Sequence, residues 1–219
     1  VFFNRSYEAS GLKDLLEDCQ AYQGQFLTVC LGSVKGRSVV IVHPREGYLD
    51  WWRAAEVVNR TYRPHWWLSA GFVGALRAGW SPGQLARVAE FRSALGTYGL
   101  EGPWTTVPPP TLHWLEQREI QWAKVLLVET PPQSPEQKEH WHQQFAADLY
   151  EAASQSATGF FSSRPQVLGI RLVTERADKV PAPEIRWVDA QRSGPARAGA
   201  IFRAIFNCEG GLKKLWTAF

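Results

Sequence analysis

Apolar positions along this chain follow two periods, and the switches between them mark the elements. Val1-Phe2-Phe3 is a short apolar run that reads as a strand, and Gly11 to Leu16 has helical apolar spacing. Phe26–Leu31 and Arg37–His43 are β-rich runs around Gly32-Ser33-Val34-Lys35-Gly36, the length of a hairpin connection. Trp51–Tyr62 carries apolar residues at helical intervals and stops before Pro64, and His65–Gly71 reads as the next strand. From Ala78 to Gln121 glycine and proline punctuate the chain and periodicity fades, which predicts irregular connections. Ala123–Val128 is a compact strand. Ser134-Pro135-Glu136 is a helix start, with Ser as cap and Pro in the first turn, and predicts a helix to about Ser156. Val167–Thr174 is a further strand, and Ala196–Phe206 and Leu212–Phe219 have helical patterns.

Strands alternating with helices predict an α/β fold whose sheet is mostly parallel and covered on both faces, with ligands at the carboxyl ends of strands. Four strand exits are therefore candidate sites: Asn4–Glu8, His43–Gly47, Gly71–Gly74 and Thr174–Asp178. The 219 residues suit one domain, expected to span 1–219 with the extreme N-terminus missing, since the first residue is not Met. With 45% hydrophobic and 21% charged residues the composition is that of a globular protein, and a net charge of +3 gives no reason to expect nucleic acid or an anionic membrane as partner. No apolar run approaches a membrane span and no signal-peptide pattern opens the chain, so a cytoplasmic protein is expected. Cys19, Cys30 and Cys208 are odd in number and widely spaced, the pattern of reduced, buried thiols.

Three segments in order carry a resemblance: Ser69-Ala70-Gly71-Phe72-Val73-Gly74-Ala75-Leu76, Asp148-Leu149-Tyr150-Glu151-Ala152-Ala153, and Gly169-Ile170-Arg171-Leu172-Val173-Thr174-Glu175-Arg176-Ala177-Asp178. Together, with Glu8 after the first strand, they resemble the purine nucleoside phosphorylase and nucleosidase superfamily, closest to its 5'-methylthioadenosine/S-adenosylhomocysteine nucleosidase branch. The resemblance implies a single-domain three-layer α/β fold with a mixed central sheet flanked by helices. It also implies hydrolysis of the N-ribosidic bond of a purine nucleoside, no cofactor, and a homodimer. The chain departs from the family pattern with Glu175 where the family has Asp, Tyr150 where it has Met, Thr174 where it has Ser, and Gln84 where an Asp commonly follows Gly.

Breaking that bond builds positive charge on the sugar and negative charge on the base, so a carboxyl that donates to the base lowers the barrier. By resemblance this is Glu175. Its extra methylene moves the carboxyl by roughly an ångström, enough to cost about 100-fold in rate. The other reading of Glu175 is an ion pair with Arg171 or Arg176. Glu151, placed on a helix by the pattern, would bind the ribose hydroxyls or be a solvated helix acid. Glu8 would orient and deprotonate water or be an acid at a helix N-terminus. Gly71, Phe72, Val73, Gly74, Tyr150 and Thr174 complete the expected base and sugar pocket. The loop Asn4-Arg5-Ser6-Tyr7 holds no glycine, and Glu8 would repel a dianion, which favours water over phosphate as nucleophile. His140-x-His142 lies two apart on a helix, on different faces, and makes no metal site. The altered motifs and the 11 Trp motivate a second reading, a nucleosidase-fold binding or structural subunit of an assembly, with Trp51, Trp52, Trp66 and Trp67 exposed.

Overall fold

The computed structural model describes residues 1–3, 10–34, 36–44, 48–64, 67–93, 96–99, 120–152 and 167–179. In chain order these form β1 (Phe2–Phe3), α1 (Ser10–Lys13), β2 (Glu17–Gln23), β3 (Leu27–Val34), β4 (Arg37–Pro44), α2 (Tyr48–Tyr62), β5 (Trp67–Ala75), β6 (Leu85–Ser93), β7 (Gly96–Gly99), β8 (Gln121–Val128), α3 (Pro135–Phe145), β9 (Leu149–Ala152) and β10 (Val167–Glu175). All ten strands belong to one mixed sheet flanked by helices, the α/β class expected.

The sheet has an open wing and a closed half. In the wing, β2, β3 and β4 are antiparallel neighbours, and β1 joins β4 to β5 by parallel pairing. In the closed half β5 pairs with β10 in parallel, β10 with β6 antiparallel, β6 with β8 and β8 with β9 in parallel, and β9 returns antiparallel to the end of β5. Five strands thus close on themselves, which removes their edges and makes a filled interior. Trp67, Val73, Ala75, Ala86, Val88, Phe91, Ala123, Val125, Leu127, Leu149 and Val173 are buried in one cluster there, continuous with Phe2 and Val42 of the wing and with Ala54, Ala55 and Val58 of α2. The alternate residues face outwards: Leu126 and Tyr150 pack with Leu76 and Ala147, against Trp141 and Phe145 of α3.

Several expectations change. The segment after Ala78 is not wholly irregular, since β6 and β7 form a hairpin-like pair within it; the glycines flank β6 rather than break it. The helix from Pro135 ends at Phe145, not near Ser156. Ala146 turns left-handed (φ 47°) and His142 Nδ1 bonds Ala147 O at 2.6 Å. Asp148 then stitches the chain into the sheet: its amide donates to Lys124 O at 2.8 Å, its carbonyl accepts from Leu76 N at 2.9 Å, and its carboxylate takes Lys124 N at 2.9 Å. Glu151 therefore lies on a strand. Gly71–Gly74 is not a strand-to-helix turn but the interior of β5. Glu17–Gln23, in which no element was expected, is a strand, and Cys19 on it is exposed rather than buried. Of the tryptophans whose exposure would favour the binding-subunit reading, Trp67 is buried, which does not favour it; the side chains of Trp51 and Trp52, residue Trp66 and the helical patterns beyond 196 lie outside the described residues. Among the described residues no helix is long and apolar enough to cross a membrane.

Candidate active site

β5, β9 and β10 bring two carboxylates close in sequence to strand ends and send them to opposite faces. Glu151 shares its face with Leu149, inside the closed half. It pairs with Arg171 of β10, Nε to Oε2 at 2.8 Å and Nη2 to Oε1 at 3.5 Å. Arg171 also donates from Nη1 to Ser69 O at 2.8 Å and Ile170 O at 3.0 Å, and from Nη2 to Ser69 Oγ at 3.1 Å. Its guanidinium carbon lies 5.3 Å from the Phe91 ring centre. Both side chains are almost wholly buried, Arg171 at 1% and Glu151 at 4% exposure. Each N–H of this guanidinium has an internal partner, so Arg171 orients Glu151 and is not a phosphate-binding arm.

The second carboxylate reaches the outer face through an irregularity in β10. Val173 pairs with Val73 but Glu175 with Gly74, so Thr174 is the extra residue of a bulge, and its Oγ1 donates to Val73 O at 3.1 Å. Gly74 is paired on its other side with Tyr150. A Cβ on Gly74 would stand 2.2 Å from Tyr150 Cε1 and 2.6 Å from Glu175 Oε1, so only glycine lets the ring and the carboxylate meet over β5. Tyr150 donates its hydroxyl to Glu175 Oε1, and Lys138 of α3 donates to the same oxygen at 2.5 Å. Lys138 Nζ also donates to Arg176 O at 3.0 Å and to Lys179 O, and lies 5.3 Å from the Tyr150 ring centre. Burial pulls the Lys138 ammonium below its ordinary value, while Glu175, and more weakly Asp178, oppose that shift.

The expected residues therefore divide. Gly74, Tyr150 and Glu175 converge under α3. Glu151 joins Ser69 and Arg171 inside, next to buried Val73, and Gly71 stands in register with Arg171. Phe72 packs on the opposite side with Leu172 and Ala70. Glu175 and Glu151 do not form one cluster: they are separated by the sheet because Tyr150 and Glu151 are adjacent on a strand. Glu8 lies outside the described residues. Neither arginine expected beside Glu175 pairs with it, because Arg171 takes Glu151 and Arg176 takes Asp178 at 2.9 Å. The partner is Lys138, which no local pattern marks, since its contact spans 37 residues. A cleft of about 730 Å³ opens beside this outer group, between α3 and the turns at 76–81 and 176–178; Arg176, Ala177 and Asp178 of the expected strand exit line it, but none of the residues assigned to the catalytic, ribose or base and sugar positions does. No group of metal-ligating side chains occurs among the described residues.

No protein-family model matches the chain, and no curated protein does. Solved structures do. The 5'-methylthioadenosine/S-adenosylhomocysteine nucleosidase from Colwellia psychrerythraea, in complex with adenine, is 15% identical with a TM-score of 0.67 over 98% of this chain and 93% of that one. The corresponding nucleosidase from Neisseria meningitidis, in complex with methylthio-immucillin-A, is 14% identical with a TM-score of 0.67 over 100% and 97%. Futalosine hydrolase of Helicobacter pylori is 11% identical with a TM-score of 0.66 over 99% and 94%. The chain has the fold of these nucleosidases, the nucleoside phosphorylase-like α/β fold.

Proposed function

We propose that this chain, built on that fold, hydrolyses the N-ribosidic bond of a purine nucleoside of the methylthioadenosine or adenosylhomocysteine type. The observation that carries the proposal is Glu151, a buried carboxylate at the end of β9 held in one orientation by Arg171, whose guanidinium is fixed in turn by Ser69. A carboxylate accepts from hydroxyls as readily as from a guanidinium, and the vicinal hydroxyls of ribose are donors of that kind. An oriented negative charge beside the sugar stabilises the cationic character that grows there as the bond breaks. Glu8 is assigned the activation of water. Glu175, which the resemblance offers as the acid for the departing base, accepts from Lys138 and Tyr150 on the face of the sheet away from Glu151, so it could serve a nucleoside held by Glu151 only if that group opened and β10 were rearranged. Gly71, Val73 and Thr174 belong to the base and sugar side in this reading, Phe72 stands across the sheet from Glu151, and self-association as a homodimer belongs to the same reading.

The Lys138–Glu175–Tyr150 group favours one other reading, a nucleoside-binding or structural subunit in which the acid has become a packing element. Adenine release from methylthioadenosine without added phosphate separates the two. Under the proposal the wild-type chain turns over and Glu151→Gln loses about 100-fold or more in kcat/KM. Nucleoside binding by calorimetry with no purine released establishes the second reading; neither binding nor release removes both. Light scattering at micromolar concentration reads the oligomer, and a monomer removes the dimer claim.

A further inference from the structure

An aromatic ring lies against the Arg171–Glu151 pair inside the closed half, and an irregularity in β6 puts it there. Ala86 and Val88 of β6 belong to the buried interior and are two apart, the strand period. An uninterrupted strand would turn Glu90 inwards next. The register with β8 shifts instead: Val88 pairs with Ala123 and Glu90 with Lys124, so Ala89 is the extra residue of a bulge. Phe91 then pairs with Val125 and joins the interior at 1% exposure, while Glu90 takes the other face and pairs with Arg92. The ring of Phe91 comes to lie 5.3 Å from the guanidinium carbon of Arg171. What the ring adds there is a contact of a different kind. The bonds from Arg171 to Glu151, Ser69 and Ile170 leave from the edges of the guanidinium. Such bonds fix where the fork points within its plane and resist tilting of that plane weakly, whereas a ring against the planar group resists tilting directly.

We propose that Phe91 is a positioning residue of the candidate active site: its ring sets the tilt of the Arg171 guanidinium and, through it, the pose of the Glu151 carboxylate. The proposal rests on the nucleoside reading above for its ligand and on the β6 bulge for its geometry. Phe91 acts through Arg171, and its own part is electrostatic as well as steric, because the negative face of an aromatic ring attracts a delocalised cation. Leucine at this place would fill much of the volume and offer no such face; tyrosine would keep it. A carboxylate that must meet two ribose hydroxyls tolerates little displacement, so a loosened fork is felt in the rate. The bulge at Ala89 is therefore part of the site although no residue of β6 stands in the motifs that carry the resemblance.

The test uses the full chain and first reads the guanidinium itself. In NMR spectra of isotopically labelled protein the Nη hydrogens of Arg171, assigned by their loss in Arg171→Lys, are expected to be resolved from one another, because the bonds to Glu151 and Ser69 block rotation about Cζ–Nη. Phe91→Leu lets the plane tilt and merges them; Phe91→Tyr keeps them apart. Phe91→Met carries the same comparison should Phe91→Leu fail to fold. The second measurement is a double-mutant cycle on adenine release from methylthioadenosine, or on its dissociation constant by calorimetry if it binds without turnover. Phe91→Leu is expected to cost about tenfold in the wild-type background and nothing further in Glu151→Gln, where no oriented carboxylate is left to lose. A purely structural role costs the same factor in both. Resonances that stay resolved in Phe91→Leu, or equal losses in the two backgrounds, overturn the proposal. Merged resonances in a chain whose wild type neither binds nor cleaves the nucleoside would remove the nucleosidase reading and leave the hold of Phe91 on the fork established.

Discussion

Two carboxylate–cation pairs meet β9 at adjacent residues, Glu151–Arg171 through Glu151 itself and Lys138–Glu175 through Tyr150, and they differ in kind. Glu151–Arg171 lies inside the closed strands, bridges two strands, and uses the planar fork of arginine to fix a carboxylate in one pose. The Glu175 group lies outside, ties a helix to a strand, and uses the point charge of Lys138 to gather Glu175 together with the carbonyls of Arg176 and Lys179. The first holds a carboxylate for use; the second occupies one. The difference teaches that proximity in sequence to a strand end does not assign an acid to a site. The pleat assigns Glu151 to one side, and the bulge at Thr174 assigns Glu175 to the other.

The comparison is sharpened most by Arg171→Met, which leaves Glu151 buried without its cation. A loss of about 3–5 kcal/mol is expected in urea unfolding, with part of it regained in Glu151→Gln/Arg171→Met, where no charge remains. Equal losses in the single and double variants would show that packing against Phe91, and not the charge, carries the pair.

Lys138→Met should cost less, about 2–3 kcal/mol by the same measurement, because Glu175 keeps its Tyr150 donor and some access to water. If the inner pair acts on the sugar and the outer pair on packing, this variant retains nucleoside binding while Glu151→Gln loses it. The reverse pattern in calorimetry would exchange the roles given to the two groups.

Gly74→Ala pushes a methyl into the Tyr150 ring and Glu175, and about 1–2 kcal/mol of destabilisation is expected. Adding Tyr150→Leu makes room and should recover much of it. Full destabilisation in the double variant would place the conflict in the β5 backbone rather than in the ring.

The smallest effect is on pH dependence. Lys138 has a native value depressed by burial, so between that value and the ordinary lysine range near about 10.4 the unfolded chain binds more protons than the native one. Its contribution therefore makes stability rise with pH across that window, by less than about 1.4 kcal/mol per unit, the ceiling for one proton. Subtracting the Lys138→Met profile from that of the wild type, between pH 8 and 11, should leave this positive slope; a flat difference would mean the ammonium is held fully charged.

Much of the fold was legible because local rules act on it strongly. The Arg37–Pro44 and Leu27–Val34 hairpin, α2 and its stop before Pro64, β8, and the Ser134 cap with Pro135 behind it all follow from periodicity and turn chemistry within a few residues. β2 and β6 escaped because neither carries a clean two-residue alternation: β2 has both faces exposed, and β6 mixes Arg87, Glu90 and Arg92 with its core residues. The site was legible as a set of residues and not as an arrangement. Glu151, Glu175, Tyr150 and Gly74 all sit in the motifs that carried the resemblance, yet Lys138, which decides what Glu175 touches, stands on a helix with nothing to distinguish it from a solvated lysine.

By itself the sequence determined the β3–β4 hairpin, α2, β8, the start of α3 and β10, and which acids stand near strand ends, since these depend on backbone preferences over a few residues. Tertiary structure alone decided that five strands close, that the chain leaves α3 at Ala146 to supply β9, and that Glu151 and Glu175 are parted by the sheet between them. Those outcomes depend on pairings and contacts tens of residues apart, where closing the ring and burying Leu149 between β5 and β8 outweigh the helical pattern that continues past Phe145.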